Sequence, residues 1–140
     1  MQVFVYRNLH NHCLSIKAME GPLRGKVIAH AHRVLLEEAV FKVSLAGRNR
    51  VLAERQKNVH AGVVGTLLRA EVLQFRYEGL VFANFESPQG LAQSSDCLHI
   101  KYDPYKADHF FEVDSKAAVN CVPFCEVTTR GVFASSNRPA

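Results

Sequence analysis

Two stretches concentrate side chains that could do chemistry. The first is "ERQKNVHAGVVG", residues 54–65, where Arg55, Gln56, Lys57 and Asn58 crowd the start of a strand-like Val/Gly run that also holds His60. Cations and amides in that density can grip a phosphate. They can also finish a helix, whose C-terminal carbonyls favour cations. The second is "YDPYKADHFF", residues 102–111, with Tyr102, Tyr105, Phe110, Phe111, His109, Asp103, Asp108 and Lys106. Asp103-Pro104 favours a turn, which would project Tyr102, Tyr105 and His109 irregularly, as ligand loops do. Aromatic rings stack on bases, and a carboxylate accepts from a base amine or a ribose hydroxyl. A pocket built from both stretches would suit a small nucleotide, whereas Phe110 and Phe111 serve equally well as core filling beneath the turn.

Two H-x-H pairs raise the question of a metal: His10/His12 in "HNHC" and His30/His32 in "AHAH". On a strand, residues i and i+2 share a face, so each pair could offer two imidazoles to zinc. A catalytic zinc site also needs a base within reach. Neither H-E-x-x-H nor H-x-E with P-C-x-x-C occurs, and no metal or other cofactor is expected. G-x-S-x-G and the Walker phosphate loop are absent too. Glu37 and Glu38 are adjacent and would point apart on a strand. The sequence carries no enzyme signature.

The elements that must position these residues are mostly strands. "QVFVYRN" and "CLSIKAME" alternate and are separated by the turn "NLHNH". After the turn "GPLRG" come "KVIAHAHRVLL" and "EEAVFKVS", read as a third and a fourth strand, the latter with Ala39, Phe41 and Val43 on one face. Ser44 suits the N-cap of a helix running through about Lys57, weakened by Gly47. "NVHAGVVGTLLRAEVL" and "FRYEGLVFANF" read as two more strands. Residues 86–96, "ESPQGLAQSSD", form the clearest loop, expected to be mobile. "CLHIKY" is a strand, "SKAAVN" a helical turn capped by Ser115, and "CEVTTRGVFAS" a hairpin turning near Thr129–Gly131. The fold class is α+β: a curved, mainly antiparallel sheet with one principal helix packed on it.

Composition sets the outer bounds. The 140 residues, 48% of them apolar, suit one domain with a single core. No apolar run reaches the ~20 residues of a membrane span. The opening "MQVFVYRNLHNHC" lacks the pattern of a signal peptide. Cys13, Cys97, Cys121 and Cys125 include no C-x-x-C pair, so reduced thiols and a cytoplasmic setting are expected. The net charge of +4 is uneven: ten Lys/Arg against four Asp/Glu through Lys57, then seven against nine. A positive half draws anionic ligands. It lacks the aromatic–basic interleaving of a nucleic-acid surface, which is not favoured.

Three segments carry a resemblance: "VYRNLHNHCLSIKAMEGPLRGKVIAHAHRVLL", "FKVSLAGRNRVLAERQKNVHAGVVG" and "KYDPYKADHFFEV". They resemble a family of small phage and prophage proteins, close to the phage anti-Thoeris sponge proteins that capture cyclic ADP-ribose signals without degrading them. The resemblance implies an antiparallel sheet, a homo-oligomer in the host cytoplasm, and ligand pockets near subunit contacts. It implies a phosphate-gripping arginine before the "KNVHA" strand, here Arg55 with Arg48 and Arg50 behind it. Tyr102 and Asp103 would hold adenine or ribose, and Arg130 would be the late arginine. Two departures stand out: Gln56 replaces a second basic residue, and the segment 69–95 is longer than the pattern. The expected function is sequestration of a cyclic nucleotide-derived signal. The alternatives are a nucleotide-signal hydrolase using the histidine pairs and a phage inhibitor that binds a host enzyme.

Overall fold

A computed structural model describes residues 1–55 and 59–139. The elements are β1 (Gln2–Asn8), β2 (Cys13–Ala18), β3 (Val27–Val43), α1 (Leu45–Glu54), β4 (Ala61–Phe75), a 3-10 turn (Leu91–Gln93), β5 (Leu98–Lys101), β6 (Phe111–Glu112), β7 (Cys121–Thr128) and β8 (Val132–Ser135). All strand pairs are antiparallel, in the order β2-β1-β4-β3-β7-β8-β5-β6, with a further β2–β3 pairing. That extra pairing closes β1–β4 into a ring, and β7, β8, β5 and β6 extend the sheet from the second half of β3. The result is a mainly antiparallel sheet with a single α-helix among the described residues, consistent with the α+β class.

The expected third and fourth strands are one. Strand β3 pairs with β2 through Val27–Ala31, with β7 through Arg33–Val40, and with β4 over nearly its whole other edge. The "EE" junction that suggested a break is a β-bulge: Glu38 has φ 51°, and the β4 register slips by one residue between Glu37 and Val40. Opposite the bulge lies Gly65, where a Cβ would sit 3.0 Å from the Glu37 carbonyl and 3.1 Å from the Leu36 Cβ. The core fills the ring and its extension: Val3, Val5, Leu14, Ile16, Ile28, Val34, Leu36, Val63, Ile100, Cys125 and Val127 are all buried. Burying each aliphatic side chain contributes about 1.5–3 kcal/mol.

Three other expectations are corrected. "FRYEGLVFANF" is not a strand. Strand β4 runs on to Phe75, the chain turns at Gly79 (φ 82°), and the following segment returns with a hydrogen bond from the Ala70 N–H to the Ala83 carbonyl and Phe82 packed on Phe75. "SKAAVN" is not helical, because Lys116 takes a left-handed φ of 65° and Phe111 bridges to Ala118. Ser115 still caps locally, accepting from the Ala117 N–H. Helix α1 begins as expected, with the Ser44 hydroxyl accepting from the Gly47 N–H, but it stops at Glu54, and Arg55 is a left-handed C-cap whose N–H reaches the Val51 carbonyl. The expected boundary at Lys57 falls outside the described residues. All four cysteines are free thiols. No helix among the described residues is long and apolar enough to cross a membrane.

Candidate functional site

Helix α1 attaches to the sheet by a shallow contact through Gly47 and Val51. The glycine that weakens the helix has a positional reason: a Cβ there would lie 2.6 Å from the Cβ of His60. His60 therefore tucks against the helix just before β4. Its Nε2 is 2.9 Å from the Tyr102 hydroxyl, and the rings meet edge-on at 5.5 Å. One residue further along α1, the Arg48 Nε–H donates to the Pro104 carbonyl at 3.0 Å. Burial pushes the Tyr102 phenol above its ordinary range, and the Arg48 charge opposes that shift. The Tyr102 ring continues the core through Phe110, which packs in turn on Phe41.

Three of the expected ligand residues thus converge: Arg48, His60 and Tyr102. Asp103 instead holds the turn, its carboxylate accepting from the Tyr105 N–H and its carbonyl from Lys106 and Ala107. Tyr105 is exposed, and His109 pairs with Asp108, whose carboxyl that hydrogen bond holds below the usual range. Arg50 is exposed on α1, and Arg55 is exposed at its end. Lys57, Asn58 and Gln56 lie outside the described residues. Phe110 is buried core, while Phe111 is half-buried.

The histidine pairs separate rather than converge. His10 and His12 occupy the exposed β1–β2 turn, with His12 at φ 53°. His30 Nδ1 lies 3.3 Å from the buried Ser15 hydroxyl and 3.8 Å from the Cys13 sulfur, while His32 is exposed. On the β4 edge the strand register shifts on either side of Ala31. Among the described residues no group of three His, Cys, Asp or Glu side chains is arranged to hold a metal.

The structure adds a cleft that local patterns did not reveal. It encloses about 330 Å³ between the end of β1, the start of β4, strand β5 and the β7–β8 turn. Arg7, Lys101 and Arg130 line it, with Tyr6, Tyr102 and Phe110 as aromatic wall and Thr128 and Thr129 beside the turn. Among the described residues no carboxylate lines it. Ile100 pairs with Val132, so Lys101 lies beside the turn that carries Arg130, and Arg7 comes from the separate strand β1. His99 lines the cleft as well, and Arg7, Lys101 and His99 were missed because each sits singly in an alternating strand, where a lone polar side chain reads as solvated face.

A second cleft, about 380 Å³, has the opposite character: Glu86, Asp96 and Glu126 line it together with Arg69 and Arg138. Its charges offset one another, so the first cleft is the better anion site. Asp96 here accepts from Ser94, from the Ser135 hydroxyl (2.8 Å) and from the Asn137 amide (2.5 Å). Those bonds hold its carboxyl down at about 2. With the folded pKa below the unfolded value of ~3.9, its stabilising contribution is complete above that pH and is lost as the pH falls through about 2. Asp96→Asn is accordingly expected to flatten the acid limb of a circular-dichroism unfolding curve below about pH 4. An unchanged acid limb would contradict this.

The fold and the cleft define a small antiparallel β protein with a cationic, ligand-sized cavity. The family model described as the Mycobacterium phage L5 gene 82 protein matches residues 1–135, and the chain belongs to that family. The gene 82 protein of Mycobacterium phage L5 is 35% identical over 123 residues, covering 84% of this chain and 82% of that protein. No solved structure matches the chain.

Proposed function

We propose that this phage-family protein is a sponge: it binds a small phosphate-bearing nucleotide signal, of the cyclic ADP-ribose or cyclic oligonucleotide kind, and holds it without chemistry. The observation that carries the reading is the lining of the first cleft, where Arg7, Lys101 and Arg130 stand beside Tyr6, Tyr102 and Phe110 with no carboxylate among the described lining residues. Cations without a compensating acid favour an anion, and aromatic walls favour a base. A volume of about 330 Å³ lies within the range of small-ligand sites, ~300–1,000 Å³. Among the described lining residues none is a cysteine or a carboxylate, and the one imidazole, His99, is stacked on the Phe133 ring at 4.9 Å. Blocking a signal this way is mass action, so the protein must outnumber its ligand.

The test is capture and release. The protein is mixed with cyclic ADP-ribose isomers and cyclic di- and trinucleotides, filtered, then heated, and both fractions are chromatographed. Loss of one compound from the filtrate and its intact recovery after heating is the expected outcome. A new product peak would mean a hydrolase, and no depletion at all would turn the search toward a host protein target.

A further inference from the structure

Tyr102 lines the cationic cleft and also reaches back to the helix side through His60. A phenol has one hydrogen, and a ring nitrogen of neutral histidine either donates or accepts. If His60 Nε2 accepts, the Tyr102 hydrogen is consumed and the phenol offers a cleft ligand only lone pairs, which repel an anion. If Nε2–H donates, the Tyr102 O–H is left to donate to that anion. The three cations mark the cleft as an anion site, and an anion held there needs the second arrangement. We propose that His60 is a positioning residue that sets the polarity of Tyr102: its Nε2–H donates to the phenol oxygen, and the phenol hydrogen goes to a phosphate oxygen of the nucleotide. This deepens, and rests on, the binding reading of the cleft. It also accounts for Gly47, the position at which any side chain would push His60 away from Tyr102.

The charges acting on Tyr102 are Arg48, Asp108 and Asp103, and all three are kept in the test. A ligand-free arm titrates the Tyr102 phenol by ultraviolet absorbance, with Tyr102→Phe subtracted to remove the other tyrosines. An Nε2–H donor stabilises the phenolate, so His60→Phe should raise the Tyr102 pKa, and His60→Gln, which can still donate, should restore it. His60→Ala, which keeps the Cβ packed at Gly47, replaces His60→Phe if the latter does not fold. A fall in the pKa would mean that His60 accepts, and either a fall or no change overturns the proposal. The second arm uses ADP as probe. His60→Phe is expected to weaken ADP binding about tenfold when Tyr102 is present and less than about twofold in the Tyr102→Phe background. Equal losses in both backgrounds would also overturn it. Absence of ADP binding to the wild type would instead count against the binding reading, while the titration still decides the direction of the His60–Tyr102 bond.

Discussion

Arg33→Ala is expected to cost about 3–5 kcal/mol of folding stability, the largest effect of any single change considered. Glu126 is a buried carboxylate on β7, and its ion-pair partner is Arg33 on β3, with Nε 3.1 Å from Oε1. Those two atoms find no aligned hydrogen-bond partner, so the contact is held by charge rather than by directed bonding. The remaining bonds tie down the loop at 85–91. Arg33 donates through Nη1 to the Pro88 carbonyl and through Nη2 to the Ser87 carbonyl, its guanidinium lies 3.6 Å from the centre of the Phe85 ring, and Glu126 Oε2 accepts from the Leu91 N–H. Removing Arg33 leaves a buried charge without its counter-ion and frees the loop. Urea unfolding measures the loss, and Arg33→Ala/Glu126→Gln should recover part of it, because the second change removes the stranded charge. A cost below about 1 kcal/mol for the single variant would show that water reaches Glu126 freely.

Arg130→Glu is expected to weaken ADP binding by about 100-fold, ~2.7 kcal/mol, with no loss of folding stability. The side chain is exposed, and Thr128 holds the turn by accepting from the Arg130 and Gly131 N–H groups. Reversal places a carboxylate beside Lys101 in a cleft that has none among its described lining residues. Arg50→Glu on the exposed face of α1 is the control, expected to change affinity by less than about threefold through long-range charge alone. Isothermal titration of both variants separates the two readings of the basic half of the chain. Comparable losses in both would place the ligand against the helix and not in the cleft.

Local chemistry made much of the fold legible. Alternation marked β1, β2 and the β7–β8 hairpin, and Ser44 capped α1 where a serine before a helical stretch should. The failures came where a distant contact overrode the local signal. Glu37-Glu38 looked like a gap between strands, because a bulge opposite Gly65 is invisible without the partner strand. The loop at 86–96 is a loop, as its composition indicates, but the anchors composition hides, the hydrogen bonds from Arg33 and to Glu126, come from strands some 35 to 55 residues away in sequence. Site residues followed the same division. The aromatic turn at 102–111 and His60 were legible from density of side-chain type, and the structure joins Tyr102 to His60. Arg7 and Lys101 were not, because only the approach of β1 to β5 and the β7–β8 turn makes them neighbours of one cavity.

The central claim is that this cleft takes an anionic nucleotide, and amide chemical shifts test it most directly in a 15.7 kDa chain. ADP is titrated into uniformly ¹⁵N-labelled protein while the backbone amides are followed. The account predicts saturable shifts concentrated at Tyr6 and Arg7, at His99 to Tyr102 and at Thr128 to Val132. Shifts confined to residues 86–96 and 135–139, or none at millimolar ADP, would contradict it.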